Sequence, residues 1–478
     1  MHNSKLIAFL KALNTKELTA LGQYIRSPYF FSGRPPGRAI QLLDYLRGHH
    51  PQFQGPALNK AQVFQHLYPN QVFRPKKIDL LMSQLFKIVE RFIIQHFQTT
   101  HPIDQQLTLA QFFRRKGMDQ YGRKNRDKMQ KQQQATLRRG DQYFHHQFRI
   151  AKELMLEKSS RGLRDSDLNL PEVHHQLDLY YLVNKLELAC HLLAQNKHHR
   201  PVELGDAITL LDQLRPLLKK GRFDEVPLIK LYFEIYRWLR EGKAPPENFV
   251  ASLRGQGPYL PMDQLKSIHA FYRNDCVHRY NGNQTTYLPQ LFEIYRLSLE
   301  EGLLFNQGGL LQSTLQNLVR LGLKMKEYDW VYNFLQAYSD KIIDTNNPQE
   351  VYANNLARYY FALREFDKAL DCLSQDYEDT YYKISAKLIE IKIYYEQQSE
   401  LLDYKIQAFK VYLHRISNTL LPELHKLGFK HFIDLLKQIC HPSTWRNKER
   451  IDKLLAKLEA RKVLAERDWL KEKLRALQ

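Results

Sequence analysis

A chain of 478 residues, 43% of them hydrophobic, is too long for one ordinary compact core and too apolar for disorder, so two or three domains or a repeat array are expected. Its four cysteines, Cys190, Cys276, Cys372 and Cys440, form no C-x-x-C pair, which argues against a disulfide framework or thiolate zinc site, and no run of about 18 apolar residues suits a membrane span. The net charge of +20 is concentrated: residues 1–165 carry 28 Lys+Arg against 11 Asp+Glu, residues 166–478 carry 43 against 40.

Residues 1–100 read as a helical domain. Leu6, Phe9, Leu10 and Leu13 line a first helix, in a segment broken by Lys11 and lacking the cleavage site of a secretory signal. With cysteines suited to a reducing compartment, a cytoplasmic location is expected. Asn14 or Thr15 is a cap for a second helix through Leu18, Leu21 and Ile25. The Pro- and Gly-dense segment SPYFFSGRPPGR (27–38) is a loop whose Tyr29, Phe30 and Phe31 are expected to plug the core rather than form an exposed patch. Asn59 with Gln62 makes a capping-box-like start for a short helix stopped by Pro69. From Pro75, the stripe Ile78, Leu81, Met82, Leu85, Val89, Phe92 and Ile93 is widened by Phe86, Ile94 and Phe97, predicting a helix apolar nearly all round and centrally buried.

Residues 101–165 read as helical and basic, with Asp104 capping a helix that Gly117 ends. Ten cations, Arg114, Arg115, Lys116, Arg123, Lys124, Arg126, Lys128, Lys131, Arg138 and Arg139, are interrupted only by Asp119 and Asp127. Beyond residue 166, helices alternate with turns marked by Gly, Pro or Asn, and no convincing period-two stretch appears. The Gly308-Gly309 pair reads as a helix turn. From Ser443 or Thr444, residues 441–478 read as one charged capping helix with Ile451, Leu454, Leu455, Leu458 and Trp469 on one stripe. That stripe is too short to sustain a coiled coil.

Two segments are self-similar. NLVRLGLKMKEYDWVYNFLQAY and NLARYYFALREFDKALDCLSQD align 38 residues apart, Tyr328 over Phe366, Leu318 over Leu356, Val331 over Ala369 and Leu335 over Leu373. Leu356, Ala357, Tyr360, Phe366 and Ala369 fall where the tetratricopeptide repeat has its Leu, small residue, Tyr, inter-helix aromatic and Ala, so residues 313–375 resemble that family. The departures are a spacing of 38 rather than 34 and the lack of a Trp at the first repeat position. The resemblance weakens over 171–312 and 376–440 and implies an all-α fold: an N-terminal helical domain, then an α-solenoid of antiparallel helix pairs over 166–440 with a C-terminal cap. The 27–30 segment with the helix at 76–98 also resembles uncharacterised bacterial helical proteins of no known activity.

No phosphate-cradling loop, G-x-S-x-G or H-E-x-x-H occurs, so neither a cofactor nor catalytic chemistry is expected; an enzyme would need a site assembled from distant positions. The doublets His49-His50, His145-His146, His174-His175 and His198-His199 point about 100° apart on a helix and suit no shared metal. The helix–turn–helix at 59–98 has too apolar a second helix to read a DNA groove. What remains is a non-enzymatic scaffold binding a protein or peptide, with Asn355, Arg358 and Tyr359 as the expected contact surface. The alternative is a protein that binds nucleic-acid phosphates through the ten cations of 114–139, with Tyr121, Tyr143 and Phe144 near enough to stack on bases.

Overall fold

The computed structural model describes residues 1, 3–31, 33–99, 102–160, 168–198, 206, 208–282, 284–373 and 377–477. Among these the chain is all-α, with 23 α-helices and three very short strands. No helix of the described residues is long and apolar enough to cross a membrane. The chain divides into two units, Met1–Lys185 and Leu186–Gln478, the division falling inside the helix Leu170–His198. The expected boundary at 165/166 and the doublet residue His199 lie outside the described residues.

In the first unit, helices Lys5–Ala12, Thr15–Arg26, Gly37–Arg47, Lys60–Leu67 and Pro75–Thr99 share one core. Asn14 forms a full capping box with Glu17. Asn59 caps the fourth helix by accepting from the Ala61 amide at 3.3 Å. The Pro75–Thr99 helix buries one stripe from Ile78 to Phe92, whereas Leu80, Ile94 and Phe97 are exposed. The all-round burial expected of it is therefore corrected: three of its large apolar side chains keep more than half of their surface exposed. The 27–31 aromatics also divide. Phe31 packs on the core, Phe30 stacks on Tyr24 at 4.5 Å, and Tyr29 stands 86% exposed.

Helices Pro102–Arg115, Asp119–Gln134 and Asp141–Ser160 then pack on one another around Leu107, Ala110, Met129 and Ile150. The middle one is almost wholly polar, and its buried face holds only Asn125, Met129 and Gln133. The Asn125 side chain donates to the Gln106 carbonyl at 2.7 Å, which satisfies an amide that would otherwise be buried unpaired.

In the second unit, three successive helix pairs have one construction: Gln312–Lys324 with Tyr328–Tyr338, Pro348–Ala362 with Phe366–Leu373, and Thr380–Glu396 with Leu402–Arg415. Each first helix ends in a left-handed residue, Lys326 (φ 60°), Arg364 (φ 63°) and Gln398 (φ 52°). The next amide donates back to the helix, Glu327 to Gly322 O at 2.9 Å, Glu365 to Tyr360 O at 3.0 Å and Ser399 to Tyr394 O at 2.9 Å. These turns are 38 and then 34 residues apart. Adjacent first helices also touch one another, and in the middle pair Ala357 and Ala369 are fully buried where the two helices meet. Gly322 serves the same close approach in the first pair, since an added Cβ would overlap Val331 Cγ2.

Two expectations are corrected here. Gly308-Gly309 belongs to a β-hairpin, not a helix turn: Phe305–Asn306 pairs antiparallel with Gly309–Leu311, and Gln307 and Gly308 both take positive φ (48° and 85°), as a two-residue hairpin loop requires. Ile342–Ile343 adds a parallel third strand, so the residues that lengthen the first spacing to 38 contain a strand tying successive pairs together. The C-terminal segment is two helices, Lys448–Ala460 and Arg467–Ala476, separated by 461–466. Asn447 caps the first by accepting from the Arg450 amide at 3.1 Å, while Thr444 is buried and its hydroxyl donates to Gln438 O at 2.6 Å. Trp469, Leu470 and Leu474 join the core of the helices before them.

Candidate protein-binding groove

The first helices of the three pairs present their residues to one open groove of about 450 Å³. Arg320, Leu323 and Lys324 come from Gln312–Lys324, Arg358 and Phe361 from Pro348–Ala362, and Ile389 and Lys392 from Thr380–Glu396. Glu466, Asp468 and Trp469 form the other side. Arg320, Arg358 and Lys392 are 38 and 34 residues apart, the same spacings as the left-handed turn residues Lys326, Arg364 and Gln398.

Burial sets the electrostatics of this row. Lys392 Nζ lies 2.7 Å from Glu466 Oε2 and 4.7 Å above the Phe361 ring. Burial opposes ionisation of Glu466, but Lys392, with Arg358 and Arg320 behind it, holds its carboxyl down to about 2. Glu466 takes φ 51° at the start of the last helix, a left-handed conformation that non-glycine residues adopt only under constraint. Arg358 has neutral partners. Its Nε is 3.4 Å from Asn354 Oδ1 and its Nη2 donates to Ser385 Oγ, which itself donates to Asn354 Oδ1 at 2.8 Å. Burial and the nearby Arg320 push the Arg358 guanidinium down to about 10. Neither Arg320 nor Arg358 has a carboxylate within ion-pair distance among the described residues. Lys324 does, pairing with Asp468 at 2.6 Å.

The three expected contact residues therefore separate. Arg358 lines the groove. Asn355 is fully buried, donating Nδ2 to Val351 O at 2.7 Å, and Tyr359 is buried against Tyr332 and Tyr360. Both act here as packing residues: the three positions share one side of the helix, but burial and these partners hold Asn355 and Tyr359 inside, and only Arg358 reaches the groove. Arg320, Lys392 and Glu466 were missed. Arg320 was legible as the 38-residue equivalent of Arg358; Lys392 and Glu466 carried no signal, since the 34-residue step shows only in the backbone and the place of Glu466 depends on the break between the last two helices.

A second and larger groove, about 1010 Å³, lies between residues 191–195, the helix Met262–Asn281 and the hairpin, with Lys266, Arg273 and Asn274 on its wall. Below it sits a Ser–His–Glu cluster: His269 Nδ1 is 2.9 Å from Ser298 Oγ, and its Nε2 is 3.4 Å from Glu301 Oε2. This is not a nucleophilic triad. The single Ser298 hydroxyl proton goes to Ile294 O at 2.6 Å, so His269 donates to the serine, the reverse of a general base. Ser298 and His269 are also buried, and burial with the charge of Arg273 holds the His269 imidazole down to about 3.

Of the ten cations at 114–139, two are corrected from the phosphate-contacting set. Arg114 pairs with Glu153 at 2.6 Å and Arg126 with Glu157, so both face the Asp141–Ser160 helix. Arg115, Lys116, Arg123, Lys124, Lys128, Lys131, Arg138 and Arg139 are exposed. Tyr143 lies under Arg139 at 5.1 Å and Phe144 is buried, whereas Tyr121 is exposed. No protein-family model, curated protein or solved structure matches the chain significantly.

Proposed function

We propose that this protein is a non-enzymatic scaffold that grips an acidic segment of a protein partner in the groove of Arg320, Arg358 and Lys392. The observation that carries this reading is the repetition of a cation at one register of three successive helix pairs, two of the three lacking a carboxylate of their own. A half-buried guanidinium that hydrogen-bonds only to neutral groups, with Glu466 near but not paired to it, is poorly compensated, and an incoming carboxylate offers it the planar two-oxygen partner it lacks. Glu466 on Lys392 supports the choice of ligand, as one carboxylate already sits in this environment. Leu323, Phe361, Ile389 and Trp469 supply apolar walls for neighbouring residues of the segment.

The reading treats the three pairs as a tetratricopeptide-like array, supported by the recurring turns and by the spacing of 34, and assigns the protein to the cytoplasm, supported by its buried free thiols Cys190 and Cys276. The test is affinity capture from the native cell with the full chain and with an Arg320→Glu/Arg358→Gln variant. A reproducible partner that the variant loses supports the scaffold; a partner set indifferent to both substitutions removes the groove from it.

A further inference from the structure

A separate surface in the first unit carries an inference independent of the groove. We infer that the Asp119–Gln134 helix binds single-stranded nucleic acid, through a stripe made of Tyr121, Lys124, Lys128 and Lys131. These residues recur at steps of three and four, which at about 100° per residue places them on one side of the helix, away from the face of Asn125, Met129 and Gln133 that packs inward. All four are exposed, Tyr121 by 56%. None of the three lysines has a carboxylate partner among the described residues, and Asp127 flanks the stripe rather than interrupting it.

What separates this helix from an ordinary solvated one is the sorting of its charges. The acids that could neutralise it, Glu153 and Glu157, are both taken by the inward arginines Arg114 and Arg126. With Asp119 and Asp127 as the helix's own acids, the outward Arg123, Lys124, Lys128 and Lys131 still keep a net positive field, and Arg115 and Lys116 extend it at the turn before the helix. A row of lysines about 5–6 Å apart along the helix follows a phosphate backbone without reading sequence. Tyr121 at the end of the row, edged by Phe113 at 5.9 Å and close in sequence to the half-exposed Phe112, gives one base a ring to stack on. A duplex keeps its bases stacked and offers only phosphates, so the aromatic end of the stripe favours a single strand.

The test is fluorescence anisotropy on the full chain with labelled oligo-U, oligo-dT and a duplex of equal length, over a salt series. Both single strands are expected to bind, more tightly than the duplex, with log affinity falling linearly as log salt rises. Lys124→Glu/Lys128→Glu/Lys131→Glu should reduce that slope by about 2, since each phosphate contact on a single strand contributes about 0.7. Tyr121→Ala should weaken binding about tenfold with the slope unchanged, because stacking is insensitive to salt. Thermal melts show that the variants fold, as none of the substituted side chains is buried. Any of four results overturns the proposal: no binding at low salt, a slope indifferent to the triple substitution, tighter binding of the duplex, or equal affinity for a polyglutamate of the same length.

Discussion

The two rows of cations, one in each unit, are built on the same helical arithmetic and serve opposite ends. Lys124, Lys128 and Lys131 repeat within a single helix and face water, where high dielectric and mobile ions make each charge nearly neutral for stability. Arg320, Arg358 and Lys392 repeat across three helix pairs and converge on a groove, where Lys392 is buried and Arg358 shares only neutral partners. A charge repeated along one helix is placed by sequence spacing alone, whereas a charge repeated from pair to pair is placed by packing. Substitution should thus move stability strongly at Lys392, whose partner is a buried carboxylate, little at Arg358, whose hydrogen bonds go to neutral groups, and hardly at all in the first row.

The largest effect is expected at Lys392. Removing one partner of a buried ion pair leaves the other charge uncompensated, so Lys392→Met should cost about 3 kcal/mol by urea denaturation, Arg358 and Arg320 limiting the loss. The same pair fixes an acid dependence. The Glu466 carboxyl is held at about 2, below its ordinary 4.5, so its contribution is present above pH 4.5 and lost as pH falls towards 2. That loss amounts to about 3 kcal/mol. Glu466→Gln should flatten stability across this window; an unchanged acid limb would mean that the pair does not form.

Next in size is Gly322→Ala, which tests the packing that places the row. The new methyl would overlap Val331, and separating the helices Gln312–Lys324 and Tyr328–Tyr338 should cost about 2 kcal/mol, read as a lower urea midpoint with the slope unchanged. Alanine is ordinarily the better helix former, so a stabilised variant would show that the two helices do not approach this closely.

How far these rows were legible in the sequence follows from the same distinction. The all-helical class and the Asn14 cap rest on local spacing and are present in the structure. The third pair escaped because Gln398, the left-handed residue of its turn, is not a glycine or asparagine that would mark it; its 34-residue offset emerges only from the backbone. Ile94 and Phe97 misled because an apolar count describes what a helix is able to bury, not what its neighbours cover. The Gly308 hairpin has strands of two and three residues, too short for any period to register.

A smaller effect separates two adjacent arginines. Arg114→Ala should cost about 1 kcal/mol, because it strips a buried carboxylate, Glu153, of its partner at 2.6 Å. Arg115→Ala, at an exposed site, should stay within about 0.5 kcal/mol. Equal losses at both positions would break the division of the basic helices into an inward, structural face and an outward one.

At Arg358 too the change in stability is expected to be small, although the site lines the groove, and that is what makes it informative. Methionine keeps the stem and apolar contacts of arginine but removes a guanidinium that burial and Arg320 already disfavour. Ser385 and Asn354 retain their own hydrogen bond at 2.8 Å, so little is orphaned when the guanidinium goes. Arg358→Met should therefore leave the unfolding free energy within about 1 kcal/mol of the parent, or raise it, while an acidic peptide measured by calorimetry loses its affinity. A residue whose removal favours the fold but abolishes binding is held for its ligand. If the variant instead unfolded as readily as Lys392→Met, Arg358 would belong to the scaffold's own structure, and the groove would be reduced to the ion pairs already inside it, Lys392–Glu466 and Lys324–Asp468.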